Sequence, residues 1–93
     1  MIITSVTMEV SNYKVWRTLF DQYTNGRKAL GSLGGSILKK NNGKYITILL
    51  RWSDKKKAMD FHESNNLSIA MNKAGVVSTP VMIFYEEEEF VDF

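Results

Sequence analysis

The chain has 93 residues, 44% of them apolar and 24% charged, which is the composition of one small globular domain. It has no cysteine, which excludes disulfides, thiolate nucleophiles and cysteine metal sites and suits a cytoplasmic protein. The net charge is +2 and unevenly placed: "EEEEFVDF" (86–93) holds five acids, whereas residues 1–85 hold 12 Lys and Arg against five acids, a balance of +7.

The N-terminal "MIITSVTMEV" lacks a basic stretch followed by a long apolar run, so no signal peptide is expected. No apolar run reaches the roughly 20 residues that cross a bilayer, so no membrane partner is expected. Strand one is predicted over Ile2–Val10, rich in β-branched residues. A helix follows, capped by Ser11 or Asn12 and closed by Gly31. At about 100° per residue, Tyr13, Trp16, Leu19, Phe20, Tyr23 and Leu30 share a face. Asn25-Gly26 weakens that helix and predicts a kink or break.

"GSLGG" (31–35) reads as a turn, because no helix follows it and the P-loop lysine is missing. Strands over 36–40 and 44–52 flank Asn41-Asn42-Gly43, a strong hairpin signal. Asp54 caps a second helix through about Ser64. Asn65-Asn66 interrupts it, and Asn66 can cap a further stretch ended by Gly75. Ala58, Phe61, Leu67, Ala70, Met71 and Ala74 form its inward stripe. Pro80 opens the last strand, "PVMIFYEEEE".

The order βαββαβ predicts an α+β, ferredoxin-like domain spanning 1–93: a four-stranded antiparallel sheet with the helices on one face. Strands three and four are apolar on both faces. A sheet with one wet face alternates apolar and polar residues. The departure predicts that a second copy covers the free face, giving a sheet-to-sheet homodimer.

"NYKVWRTLFDQYTNGRKALGSLGG" carries Tyr13, Trp16, Phe20-Asp21, Arg27 and a closing Gly-Gly. "LRW" ends a strand at 50–52, "AMDFHES" spans 58–64 and "AGVVSTP" spans 74–80. Together these resemble the dimeric α/β-barrel superfamily, and within it the small cyclase-like or antibiotic-biosynthesis-monooxygenase-like proteins. The resemblance covers about residues 2–88. It implies a homodimer and a ligand site between the helices and the sheet of each subunit. It also implies descent from cofactor-free oxygenases or cyclases acting on aromatic compounds, alongside members of no known activity. Haem-degrading members use an Asn on strand one, a Trp on the second helix and a later His. Strand one here has no Asn, the Trp position falls near Phe61 and the His position near Met71, so no haem and no other cofactor is expected.

His62, the only histidine, is the side chain suited to proton transfer near neutrality, and is the candidate base. A partly exposed histidine without a role is the alternative. Arg27, on the aromatic helix face, can orient a ligand oxyanion or bind carbonyls of its own fold. Tyr13, Trp16, Phe20, Tyr23, Phe61 and Met71 can line a cavity for a flat ligand or simply fill the core. Trp52 is placed at the cavity mouth or the dimer edge.

Glu86–Glu89 alternates sides in a strand, so at most two carboxylates converge, and no metal site is expected. Lys55–Lys57 reads as a solvated face. Strand one has no aromatic residue, so the base-stacking platform of RNA-recognition domains is absent and no nucleic acid is expected. Two functions remain open: a small dimeric enzyme acting on an apolar or aromatic metabolite, or a non-catalytic ligand-binding or structural dimer with a closed core.

Overall fold

The computed structural model describes residues 1–40 and 42–93. Strand β1 (Ile2–Glu9) is followed by helices α1 (Tyr13–Gln22) and α2 (Thr24–Ala29), then strands β2 (Ser32–Lys39) and β3 (Tyr45–Trp52). Helices α3 (Lys55–His62) and α4 (Asn65–Lys73) lead to strand β4 (Val81–Glu86). The sheet order is β2-β3-β1-β4, with every neighbouring pair antiparallel. This is the expected four-stranded α+β plan.

Local chemistry explains the helix boundaries. The Asn12 side chain accepts from the Val15 amide at 3.1 Å and starts α1. The first helical stretch breaks at Tyr23, two residues before the suspected Asn25-Gly26. Asp54 caps α3 through the amides of Lys56 and Lys57. The second break falls two residues earlier than expected, because Ser64 rather than Asn66 accepts the capping hydrogen bond of α4. Gly31 and Gly75 follow α2 and α4 with φ of 108° and 81°, backbone that glycine adopts without strain.

"GSLGG" is corrected. Ser32, Leu33, Gly34 and Gly35 belong to β2, and the register shifts between Ser32 and Gly35. Gly31 stays in the turn before β2, and Gly35 serves close strand pairing. A Cβ at Gly35 would lie 1.6 Å from the Leu49 carbonyl oxygen. In the following hairpin, Gly43 donates to the Lys40 carbonyl at 2.9 Å with φ 71°; Asn41 lies outside the described residues. β1 and β4 are also shorter than expected; Val10, beyond β1, forms an isolated bridge to Val76 and donates its amide to the Lys44 carbonyl at 2.8 Å.

The two sheet faces differ. Val6 and Met8 of β1, with Ile46, Ile48 and Leu50 of β3, are buried beneath Trp16, Ala58 and Ala74 of the helical layer and its end. On the other face, Val81, Ile83 and Tyr85 of β4 stand beside Thr7, Ser5 and Ile3 of β1, and Leu38 of β2 stands beside Thr47 of β3. Val81 is 57% exposed, Tyr85 49% and Ile83 44%. The acidic end leaves β4, the edge strand, with Glu87 bonded to the Met1 carbonyl and 3.7 Å from Arg51. Among the described residues no helix is long and apolar enough to cross a membrane.

Candidate functional site

The helical layer does not close on the sheet. Between them lies a cavity of about 460 Å³, within the range of small-molecule sites. Val6, Met8, Ile48 and Leu50 form its floor. Trp16, Leu19, Phe20, Tyr23 and Arg27 line it from the first helical pair, and Phe61, His62, Leu67 and Met71 from the second. Trp16 and Phe20 are stacked with centroids 4.9 Å apart, giving a flat aromatic wall.

Seven of the nine expected site residues meet here: Trp16, Phe20, Tyr23, Arg27, Phe61, His62 and Met71. Tyr13 does not. It packs against Trp16 and lines a neighbouring depression that also touches Phe20 and Arg27. Trp52 is fully buried rather than at a mouth or an edge. Its ring lies 5.2 Å from Phe61, and its indole N–H donates to Thr4 Oγ1 at 3.0 Å.

His62 is 7% exposed and is not a surface histidine. Its Nε2 lies 2.7 Å from Thr4 Oγ1, and the rings of Phe61 and Phe84 stand edge-on at 5.1 and 5.6 Å. Burial among these rings disfavours the imidazolium and lowers the pKa to about 4. The ring is therefore neutral near pH 7, and as a base it is weak there. Its Nδ1 is buried without a hydrogen-bond partner among the described residues.

Arg27 is held by its own fold. Its Nη1 donates to the Phe20 carbonyl at 2.7 Å, its Nη2 to Thr24 Oγ1 at 3.2 Å, and the guanidinium stacks 3.5 Å from the Phe20 ring centre. It thus closes the carbonyl end of α1 where the helix breaks. Burial, then the like charge of Arg17, lowers its pKa. A guanidinium has five N–H donors, so three are uncommitted among the described residues.

Sequence reasoning missed Thr4. A polar residue on strand one in phase with Val6 and Met8 was the available signal. It also missed the outer wall, formed by Ile69, Ala70 and Lys73 of α4. Among the described residues no group of three His, Cys, Asp or Glu is placed to hold a metal.

No family model matches the sequence, and no curated protein matches it. Solved structures do share its shape. SnoaB, a cofactor-independent oxygenase from Streptomyces nogalater, is 9% identical with a TM-score of 0.76, over 97% of this chain and 95% of that one. A monooxygenase from the gene ActVA-Orf6 of Streptomyces coelicolor, in complex with the ligand nanaomycin D, is 15% identical with a TM-score of 0.64, over 97% and 89%. A Nitrosomonas europaea protein, provisionally named an antibiotic biosynthesis monooxygenase, is 13% identical with a TM-score of 0.71, over 96% and 100%. At such identities the likeness speaks for the fold alone, and the chain has the ferredoxin-like fold of the antibiotic-biosynthesis-monooxygenase-like proteins.

Proposed function

We propose that this protein is a homodimer whose subunits each bind a small, flat, largely apolar metabolite between helices and sheet, and act on it as a cofactor-free, monooxygenase- or cyclase-like enzyme. The cavity that holds both His62 and Arg27 carries the reading. A purely structural module would close that space with side chains, since protein interiors pack to the density of organic crystals. The stacked Trp16 and Phe20 suit a planar ring system, and the Arg27 N–H groups uncommitted among the described residues suit an oxyanion formed on it.

The second copy is inferred from the free sheet face, where Leu38, Val81, Ile83 and Tyr85 are exposed together. A contiguous apolar surface of this kind marks a partner site, and a copy of the same sheet offers a matching one. A cytoplasmic setting suits a chain without cysteine.

One observation favours a second reading, a binding module without catalysis. No carboxylate lines the cavity among the described residues, and His62 is a weak base. Under that reading the cavity carries or senses the same ligand class. Oxygen uptake separates the two. The protein is mixed with a panel of phenolic ring compounds whose activated CH₂ becomes a carbonyl, each consuming one O₂ and releasing one water. Turnover that is lost in Arg27→Met supports the oxygenase. Binding without oxygen uptake or ring closure supports the module, and absence of any binding contradicts both.

A further inference from the structure

A second depression, of about 450 Å³, lies on the β2 side of the helical layer, where α1 and α2 face the β2–β3 pair. It shares the Phe20 and Arg27 wall with the first cavity. Gly34 and Gly35 of β2 carry no side chain to fill this space, and Ser32 Oγ accepts from the Gly34 amide at 3.2 Å where the strand register shifts.

Its chemistry is cationic. Arg17, Arg27 and Lys28 line it, and among the described residues no Asp or Glu does. Tyr13, Thr24 and Ser36 add hydroxyls. The guanidinium carbons of Arg17 and Arg27 lie 5.7 and 3.5 Å from the centre of the same Phe20 ring, so the two charges are no farther apart than the sum of those distances. Arg17 is paired with the exposed Asp21. Arg27 is held by neutral groups, and Lys28 forms no ion pair among the described residues. Three cations and one carboxylate leave the depression with a local balance of +2. Burial, and then the like charge of Arg17, disfavours the charged form of Arg27, as expected where cations gather without a counter-charge.

We infer that this depression binds the phosphate group of a small phosphate monoester, at a site separate from the cavity that holds His62. Charge decides the class. A monoester carries about −1.5 to −2 near pH 7 and matches the local balance, whereas a carboxylate supplies a single charge. Arginine forks and lysine point charges both bind phosphate oxygens. The volume leaves room for an organic group beside the phosphate, with Ile37 and the Tyr13 ring as its apolar contacts. The inference does not depend on what the first cavity binds.

The test titrates the 93-residue chain with phenyl phosphate, benzoate and inorganic phosphate, reading backbone amides in about 0.1 M salt, where charges act over about 10 Å. Phenyl phosphate should give saturable shifts at Lys28, Gly34 and Ser36, and bind about 5-fold more tightly than either other probe. Lys28→Met should weaken it about 5-fold and Lys28→Arg should preserve it. Lys44→Met removes the same charge from a residue that does not line the depression, and should change binding less than about twofold. Arg27, which lines both spaces, is left unchanged, so the outcome does not bear on the first cavity. Equal losses in Lys28→Met and Lys44→Met would mean attraction to the basic body as a whole and overturn the inference. So would benzoate or inorganic phosphate binding as tightly as phenyl phosphate, or no saturable shift at these amides.

Discussion

Thr4 Oγ1 and His62 Nε2 meet at 2.7 Å across 58 positions of sequence, joining strand β1 to the last residue of α3. The same hydroxyl receives the indole N–H of Trp52 at 3.0 Å, so one threonine ties together two rings beside the cavity. Thr4→Val is nearly isosteric but removes both bonds. It leaves the Trp52 donor buried and unpaired, which costs about 1–3 kcal/mol. Urea unfolding should show that loss. Thr4→Ser, which restores the oxygen, should stay within about 1 kcal/mol of wild type. Equal stability of the valine and serine variants would mean that the hydroxyl is not the tie.

His62 should titrate near pH 4, not near the ordinary 6.5. The unfolded chain then binds more protons than the folded chain between about pH 6.5 and pH 4. Stability from this residue is complete above 6.5, falls as pH drops through that window and levels off below 4. After discount for solvent screening the loss is on the order of 1–2 kcal/mol. NMR titration of the one histidine reads the pKa directly. A midpoint near 6.5 would place the ring in water and contradict its burial.

How much of this was legible in the sequence depends on which forces decide each feature. The β1-to-β4 order, the Asp54 cap and the two helix interruptions follow from local patterns: β-branched runs, side-chain caps, Asn and Gly. "GSLGG" was misread because glycine signals a turn locally, whereas here it answers a long-range demand. The Leu49 carbonyl approaches too closely for any Cβ at Gly35. Trp52 was misplaced for a related reason. Its position at a strand end suggested a rim, but the helix after Asp54 folds back over it. Arg27 and His62 were legible as polar residues near apolar faces. For Arg27 the local Phe20 carbonyl was among the partners the sequence offered, whereas the Thr4 partner of His62, 58 positions away, was set by tertiary packing that periodicity does not encode.

Two glycines give a sharp contrast. Gly35→Ala puts a methyl group 1.6 Å from the Leu49 oxygen and must part β2 from β3 locally, costing about 3 kcal/mol or more. Gly26→Ala in α2 meets nothing within 4 Å and should be neutral or stabilising, by up to about 1 kcal/mol. Paired thermal melts check both. Equal melting temperatures for the two variants would show that β2 does not approach β3 as described.

On the free sheet face, Ile83 stands opposite Ser5 and Val81 opposite Thr7. Changing both apolar residues to lysine places like charges across a two-fold interface, where they repel. Light scattering should show dimers for the wild type and monomers for the double variant, with circular dichroism unchanged. A monomeric wild type at micromolar concentration would leave the apolar face without the proposed partner.

The cavity between helices and sheet carries the proposed ligand site, and a backbone amide titration of this 93-residue chain with 1-tetralone tests it most directly. The expected result is a saturable set of shifts around Trp16, Phe61 and Met71, abolished in a folded Ala70→Phe variant that fills the space. Shifts confined to Val81, Ile83 and Tyr85, or none at millimolar probe, would contradict the assignment of the cavity as a ligand site.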